Sequence, residues 1–226
     1  MKKIFAAAAI AAFATAASAE SYHVTVWNGL ADCSGGQACM FNADKADVPV
    51  PGATPLAEFD FTPDDASLGL TWASTAGMFN TYGNFLDGGT ISGFTSAVSQ
   101  SSFLSQSMSE EGNGFASYFA ITGMYTSGTD FSTTILHDDG ASLYVDNNNI
   151  FRAPGRVPGQ ATSGNLTLDA GSHHFGLFYV AADGGPAVLN FDLPDASAAP
   201  IPEPATLALL GIGLAGLGFA RRRPRI

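Results

Sequence analysis

Residues Thr133–Asp146 read TTILHDDGASLYVD. Thr133, Thr134 and Ile135 are β-branched and favour a strand, Asp138 and Asp139 end that run, and Gly140 follows where the chain must reverse. Beyond the turn, Leu143 and Val145 alternate with Ser142, Tyr144 and Asp146, so one face of a second strand packs inward and the other meets water. The stretch therefore reads as strand, acidic turn, strand. Two adjacent carboxylates repel each other unless a positive charge lies between or beside them. In an exported protein Ca2+ is the usual solution, because it takes many oxygen ligands in loose geometry. A solvated acidic turn is the other reading, since Asp-Asp-Gly is a common turn composition. Spacing alone leaves both open.

Outward from this stretch the same strand character recurs. Tyr22–Trp27 (YHVTVW) sets Tyr22, Val24 and Val26 on one face and His23, Thr25 and Trp27 on the other, while Leu56–Phe61 and Phe115–Ile121 read as further strands. Amphipathic helical patterns are scarce, and short alternating runs are separated by Gly, Ser, Asn, Asp and Pro. The fold class predicted is all-β, an antiparallel β-sandwich. Residues 42–57, with Pro49, Pro51 and Pro55, read as a loop. Residues 73–114 are rich in Ser, Gly and Asn but carry Phe79, Tyr82, Phe85, Phe94 and Phe103. These aromatics are too frequent for a disordered linker, and they predict short strands and long loops packed on the sandwich.

The two ends differ from this body. Lys2 and Lys3 precede an apolar run and the small-residue triplet Ala17-Ser18-Ala19, the pattern of a signal peptide over 1–19 with cleavage between Ala19 and Glu20. At the other end Pro202-Glu203-Pro204 precedes an apolar run over 205–220 and then Arg221, Arg222 and Arg223. The prolines keep the segment before the run extended, and the arginines hold the end of a transmembrane helix on the cytoplasmic side. Between them, residues 20–199 suit one domain with a sizeable core. That body holds 3 of the 9 basic residues (Lys45, Arg152, Arg156) and 19 of the 20 acidic ones, a formal charge of −16. Such a surface excludes nucleic acid as a partner and favours divalent cations.

Other groups read as structural. Cys33 and Cys39, the only cysteines, flank a Gly-rich spacer and are expected to form a disulfide in an exported chain. Asp64 and Asp65 follow a Pro-led turn, and Glu110 and Glu111 read as solvated loop acids. His173 and His174 open the segment HHFGLFYV, and adjacent strand residues point to opposite faces, so the pair cannot face one metal without a bulge. Nucleophile elbow, zinc spacing, phosphate loop and a usable Ser-His-Asp order are all missing, so enzymatic activity is not expected.

Two resemblances add to this. HDDGASLYVD with the later LTLDAGSHHFGLFYVAADGGPAVLNFDLP resembles the second half of a PA14 domain, through Asp138, Asp139, Gly140, Leu143, Tyr144 and Asp146, then Ala170, Gly171, His173 and Tyr179. The match is good over residues 115–193 and loose before them. In lectin-type PA14 branches the two aspartates of the DDG turn are joined by a cis peptide and bind Ca2+, which coordinates vicinal hydroxyls of a sugar. The resemblance thus implies Asp138 and Asp139 as metal ligands and an extracellular polysaccharide as a partner. Those lectins place an Asn in the loop after the strand ending at Tyr179, whereas this chain has Val180, Ala181, Ala182 and Asp183, so Asp183 is the oxygen donor expected there. Asp146 is expected to be a turn residue rather than a ligand. Residues 200–226, with their motif, apolar run and basic tail, resemble the PEP-CTERM sorting signal. That implies an exported substrate of an exosortase, held transiently in the inner membrane, cut near Pro202–Pro204, and then placed on the cell surface or outside the cell.

Overall fold

The structure is a computed structural model, and it describes residues 21–28, 43, 54–65, 69–74, 80–110, 115–127, 131–155, 157–182 and 184–192. The expected signal peptide, the Cys33–Cys39 pair, Asp183 and the C-terminal signal with its apolar segment 205–220 all lie outside the described residues. Among the described residues no helix is long and apolar enough to cross a membrane.

Eleven strands are described: β1 (Tyr22–Asn28), β2 (Ala57–Pro63), β3 (Leu70–Ser74), β4 (Gly89–Ser96), β5 (Ser117–Ser127), β6 (Phe131–Asp138), β7 (Ala141–Val145), β8 (Asn148–Ala153), β9 (Gln160–Leu166), β10 (Gly171–Ala181) and β11 (Ala187–Phe191). They form a seven-stranded sheet in the order β4-β2-β1-β5-β10-β7-β8 and a four-stranded sheet in the order β3-β11-β6-β9. Every pairing is antiparallel. This is the predicted all-β sandwich, and alternation along each strand explains its core. Tyr22, Val24 and Val26 of β1, Phe59 and Phe61 of β2, Phe119 and Ile121 of β5, and Leu177 and Tyr179 of β10 all point between the sheets and are buried.

Trp72 of β3 lies near the middle of this core, its ring 5.0 Å from that of Phe61, 5.5 Å from Phe85 and 6.3 Å from Phe119. Ring pairs at such separations add to the 1.5–3 kcal/mol or so that burying each large side chain contributes.

Within residues 73–114 the expectation of strands and loops is partly corrected. β4 is a strand, but two short helices are also present, α1 (Tyr82–Phe85) and α2 (Gln100–Leu104). Each starts on a hydroxyl cap: Asn84 N–H donates to Thr81 Oγ1, and Ser102 N–H to Ser99 Oγ. They carry Tyr82, Phe85 and Phe103 into the core, and the rings of Tyr82 and Phe103 stack with centroids 4.4 Å apart.

The turn after β7 is also tighter than the sequence predicts. Asn147–Asn149 had the composition of a polar turn, whereas Val145 pairs with Asn148, leaving Asp146 and Asn147 as a two-residue loop. Both have positive φ, 48° and 67°, as a hairpin turn matched to strand twist requires.

Candidate functional site

β6 belongs to the smaller sheet and β7 to the larger, so Asp138-Asp139-Gly140 is the point where the chain crosses between layers. The Asp138–Asp139 peptide is cis. Two backbone hydrogen bonds fasten the crossing to the end of β10: Asp139 N–H donates to Val180 O (3.2 Å) and Val180 N–H to Gly140 O (3.0 Å). Gly140 is fixed by space. A Cβ there would stand 2.1 Å from Pro154 O and 2.7 Å from its carbonyl carbon, which is far inside contact distance.

The carbonyls of both aspartates are held by buried side chains. Tyr179 Oη–H, fully buried, donates to Asp138 O, and His137 Nδ1 meets Asp139 O at 2.5 Å. A carbonyl can only accept, so Nδ1 carries the histidine proton. His137 Nε2 then accepts from Thr162 Oγ1 at 2.8 Å. Burial lowers the pKa of His137, outweighing the Asp139 carbonyl and the Asp138 charge, so the ring stays neutral at physiological pH.

The two carboxylates have different surroundings. Asp139 is buried, and its Oδ2 accepts from Ala182 N–H at 2.8 Å. Asp138 is half-buried and faces the β8–β9 connection, where it accepts from the backbone N–H of Gly159. Burial raises the Asp138 pKa, a shift opposed by the Gly159 hydrogen bond and by His137. Tyr179 is pushed well above its ordinary value by burial and then by the two neighbouring carboxylates, so it remains a donor. At Asp138 burial thus disfavours the negative charge, and the Gly159 hydrogen bond and His137 offset that only in part.

Of the three expected metal ligands, Asp138 and Asp139 are brought to one turn, and Asp183 follows Ala182 directly in the chain but lies outside the described residues. Among the described residues no three His, Cys, Asp or Glu side chains gather at one point. The two carboxylates fit a hard cation in the chemistry of their donors. Asp146 is a turn residue. Its Oδ1 accepts from His174 N–H (2.9 Å) and its Oδ2 meets His173 Nδ1 (2.6 Å). His173 is buried and His174 exposed, so the two rings lie on opposite faces of β10. His23 pairs across strands with Asp60 on the surface, at 3.0 Å.

Sequence reasoning missed several supporting groups. His137 and Thr162 hold the turn from below, and a histidine immediately before paired aspartates was a legible signal. Asn80 and Ser109 were not legible. Asn80 Nδ2 donates to Ser109 O and Oγ (2.9 and 2.7 Å), Ser74 Oγ donates to Asn80 Oδ1, and Ser109 Oγ accepts from Gly184 N–H at 3.2 Å. This buried network ties the β10–β11 loop, which carries Ala182, to Ser74, Asn80 and Ser109.

Residues 200–223 match the family model of the PEP-CTERM protein-sorting motif. The solved PA14 sugar-binding domain from an RTX adhesin superposes with a TM-score of 0.53 at 17% identity, covering 78% of this chain and 96% of that one. The PA14 domain of the MpAFP antifreeze protein does so with a TM-score of 0.51 at 11% identity, covering 84% and 90%. The fold is that of a PA14 domain. No curated protein matches the chain. The sorting motif marks an exported, exosortase-processed protein, as the sequence implied.

Proposed function

We propose that the PA14 fold of this chain is a binding module, not an enzyme, and that it takes Ca2+ and an extracellular glycan at the DDG turn. The observation that carries the reading is the pair of carboxylates at the crossing. One is pinned by Ala182 N–H and the other is half-buried beside Gly159, with a neutral His137 next to them. When bound, Ca2+ supplies open coordination positions for vicinal hydroxyls of a sugar. Asp138 and Asp139 supply charge, Asp183 is the third oxygen donor, and Tyr179 and His137 keep the peptide carbonyls of the turn in place. Asp138 is the more exposed of the two, which makes it the side from which an ion enters.

In this reading residues 205–220 hold the chain briefly in the inner membrane, an exosortase cuts near Pro202–Pro204, and the domain ends up at the surface or in a polysaccharide matrix. One observation favours a second reading, a structural matrix component without sugar binding. Ala181, the last residue of β10, and Ala182 just after it have buried side chains where lectin-type relatives carry an amide. Retention on a glycan array in about 1 mM Ca2+, the weak end of the affinity range of extracellular Ca2+ modules, and in EGTA decides between them. Retention that EGTA abolishes supports the lectin reading; no Ca2+-dependent retention leaves the structural one.

A further inference from the structure

The outer face of the larger sheet carries a second feature, unrelated to the turn. Strand register aligns one row of residues across five strands: Tyr144 (β7) opposite Gly176 (β10), Gly176 opposite Thr122 (β5), Thr122 opposite His23 (β1), and His23 opposite Asp60 (β2). Alternation puts all five on the outside, since their neighbours Leu143, Leu177, Ile121, Val24 and Phe59 are in the core. Adjacent strands lie about 4.8 Å apart, so the four steps span about 19 Å.

Along most of its length the row is open. Thr122, His23 and Asp60 are exposed, and Gly176 offers no side chain. At its β7 end it deepens into a groove of about 310 Å3 lined by Thr122, Tyr144, Asp146, Asn147, His174 and Phe178. The groove is walled by aromatic rings, with Tyr144 and Phe178 meeting edge to face at 5.9 Å. It begins where an apolar patch on the same face ends. Trp27, Tyr118, Phe178 and Val180 of that patch are buried against Ala43 and Ala116, whereas Tyr144 is only half-buried.

These parts suit one class of ligand. A half-exposed aromatic ring packs against the apolar C–H face of a pyranose, and the short side chains beside it leave room for the ring. Asp146, Asn147, Thr122 and His174 offer donors and acceptors to hydroxyls at the rim. The ligand is neutral, because Asp146 and Asp60 stand at the two ends of the row on a body of formal charge −16, which repels acidic polymers. The row of about 19 Å, concave at its β7 end and flat beyond Thr122, is longer than a single sugar ring. Tyr179 is opposite Ala141 at the turn and Gly176 is opposite Tyr144, so the groove starts three residues, about 10 Å, along β10 from the Asp138–Asp139 site. We propose that this groove, with the exposed row beyond it, binds a neutral oligosaccharide laid across the strands, without Ca2+ and apart from the DDG turn.

The test is calorimetry of the full-length chain in EGTA with cellohexaose, laminarihexaose, maltohexaose and mannohexaose. Thr122→Arg and Tyr144→Ala block or remove the platform, and Asp138→Asn alters only the turn. The expected result is binding of at least one hexasaccharide that weakens at least tenfold in both groove variants and is unchanged in Asp138→Asn. Thr122 is exposed, so Thr122→Arg decides the matter if Tyr144→Ala fails to fold. Absence of binding in EGTA, equal binding by Thr122→Arg, or loss in Asp138→Asn would each overturn the proposal. None of these outcomes depends on whether the turn holds Ca2+, so the two sites stand or fall separately.

Discussion

Gly140 shows how one atom decides a site. The backbone of Pro154 occupies the space a Cβ would need, and backbone cannot rotate away as a side chain does. Gly140→Ala must displace either the β8–β9 connection or the turn, at about 1–3 kcal/mol by analogy with overpacked cores. A urea titration is expected to show that loss, together with weakened cation binding; an unchanged midpoint would mean the loop yields freely. A second residue-scale prediction concerns Asp146 and His173. Their hydrogen bond raises the pKa of His173 and lowers that of Asp146, helped by the carbonyl of Asp169 and the N–H of His174 respectively. A raised histidine stabilises the fold fully below its unfolded pKa, about 6.5, and ceases to do so as pH rises through the folded value. A lowered carboxyl stabilises above its unfolded pKa, about 3.9, and ceases to do so as pH falls through the folded value. The pair therefore contributes most between about pH 4 and 6.5. The gap in thermal midpoint between the native chain and Asp146→Asn should be widest near pH 5 and narrow as pH rises through the raised folded pKa of His173. A gap independent of pH would remove the charge interaction from the account.

At the scale of elements, the β7–β8 hairpin depends on left-handed backbone at Asp146 and Asn147. Asn tolerates that region and β-branched residues do not, so Asn147→Val is expected to cost about 1–2 kcal/mol, read as a lower denaturation midpoint, while Asn147→Gly keeps the backbone conformation and costs less. If Asn147→Val melts with the native chain, the two-residue turn is wrong. Strands with apolar alternation were legible in the sequence: Tyr22, Val24 and Val26 face the core as their spacing required. β9 was not, because its inward positions are Thr162, Gly164 and Leu166, two of them with little apolar signal. Gly164 is small because Ile150 O lies 2.5 Å from where its Cβ would be. The helices α1 and α2, four and five residues long, are too short to show a helical period, and only Thr81 and Ser99 mark them, as caps.

Across the whole molecule, the candidate site joins parts distant in sequence. The turn lies at residues 138–140, its clamps at 159, 162, 179 and 182, and the network behind its loop at 74, 80 and 109. The acid pair was legible because it interrupts a strand pattern. The clamps were not, because backbone N–H groups of Gly159 and Ala182 leave no trace in side-chain composition, and Asn80 and Ser109 stand in a stretch already rich in Asn and Ser. We propose that this assembly holds a cation. Calorimetric titration of the full-length chain with Ca2+, repeated with Asp138→Asn, tests it most directly. The account predicts saturable binding at one site in the native chain and its loss in a variant that still melts cooperatively. No binding in either protein, or equal binding in both, would contradict it.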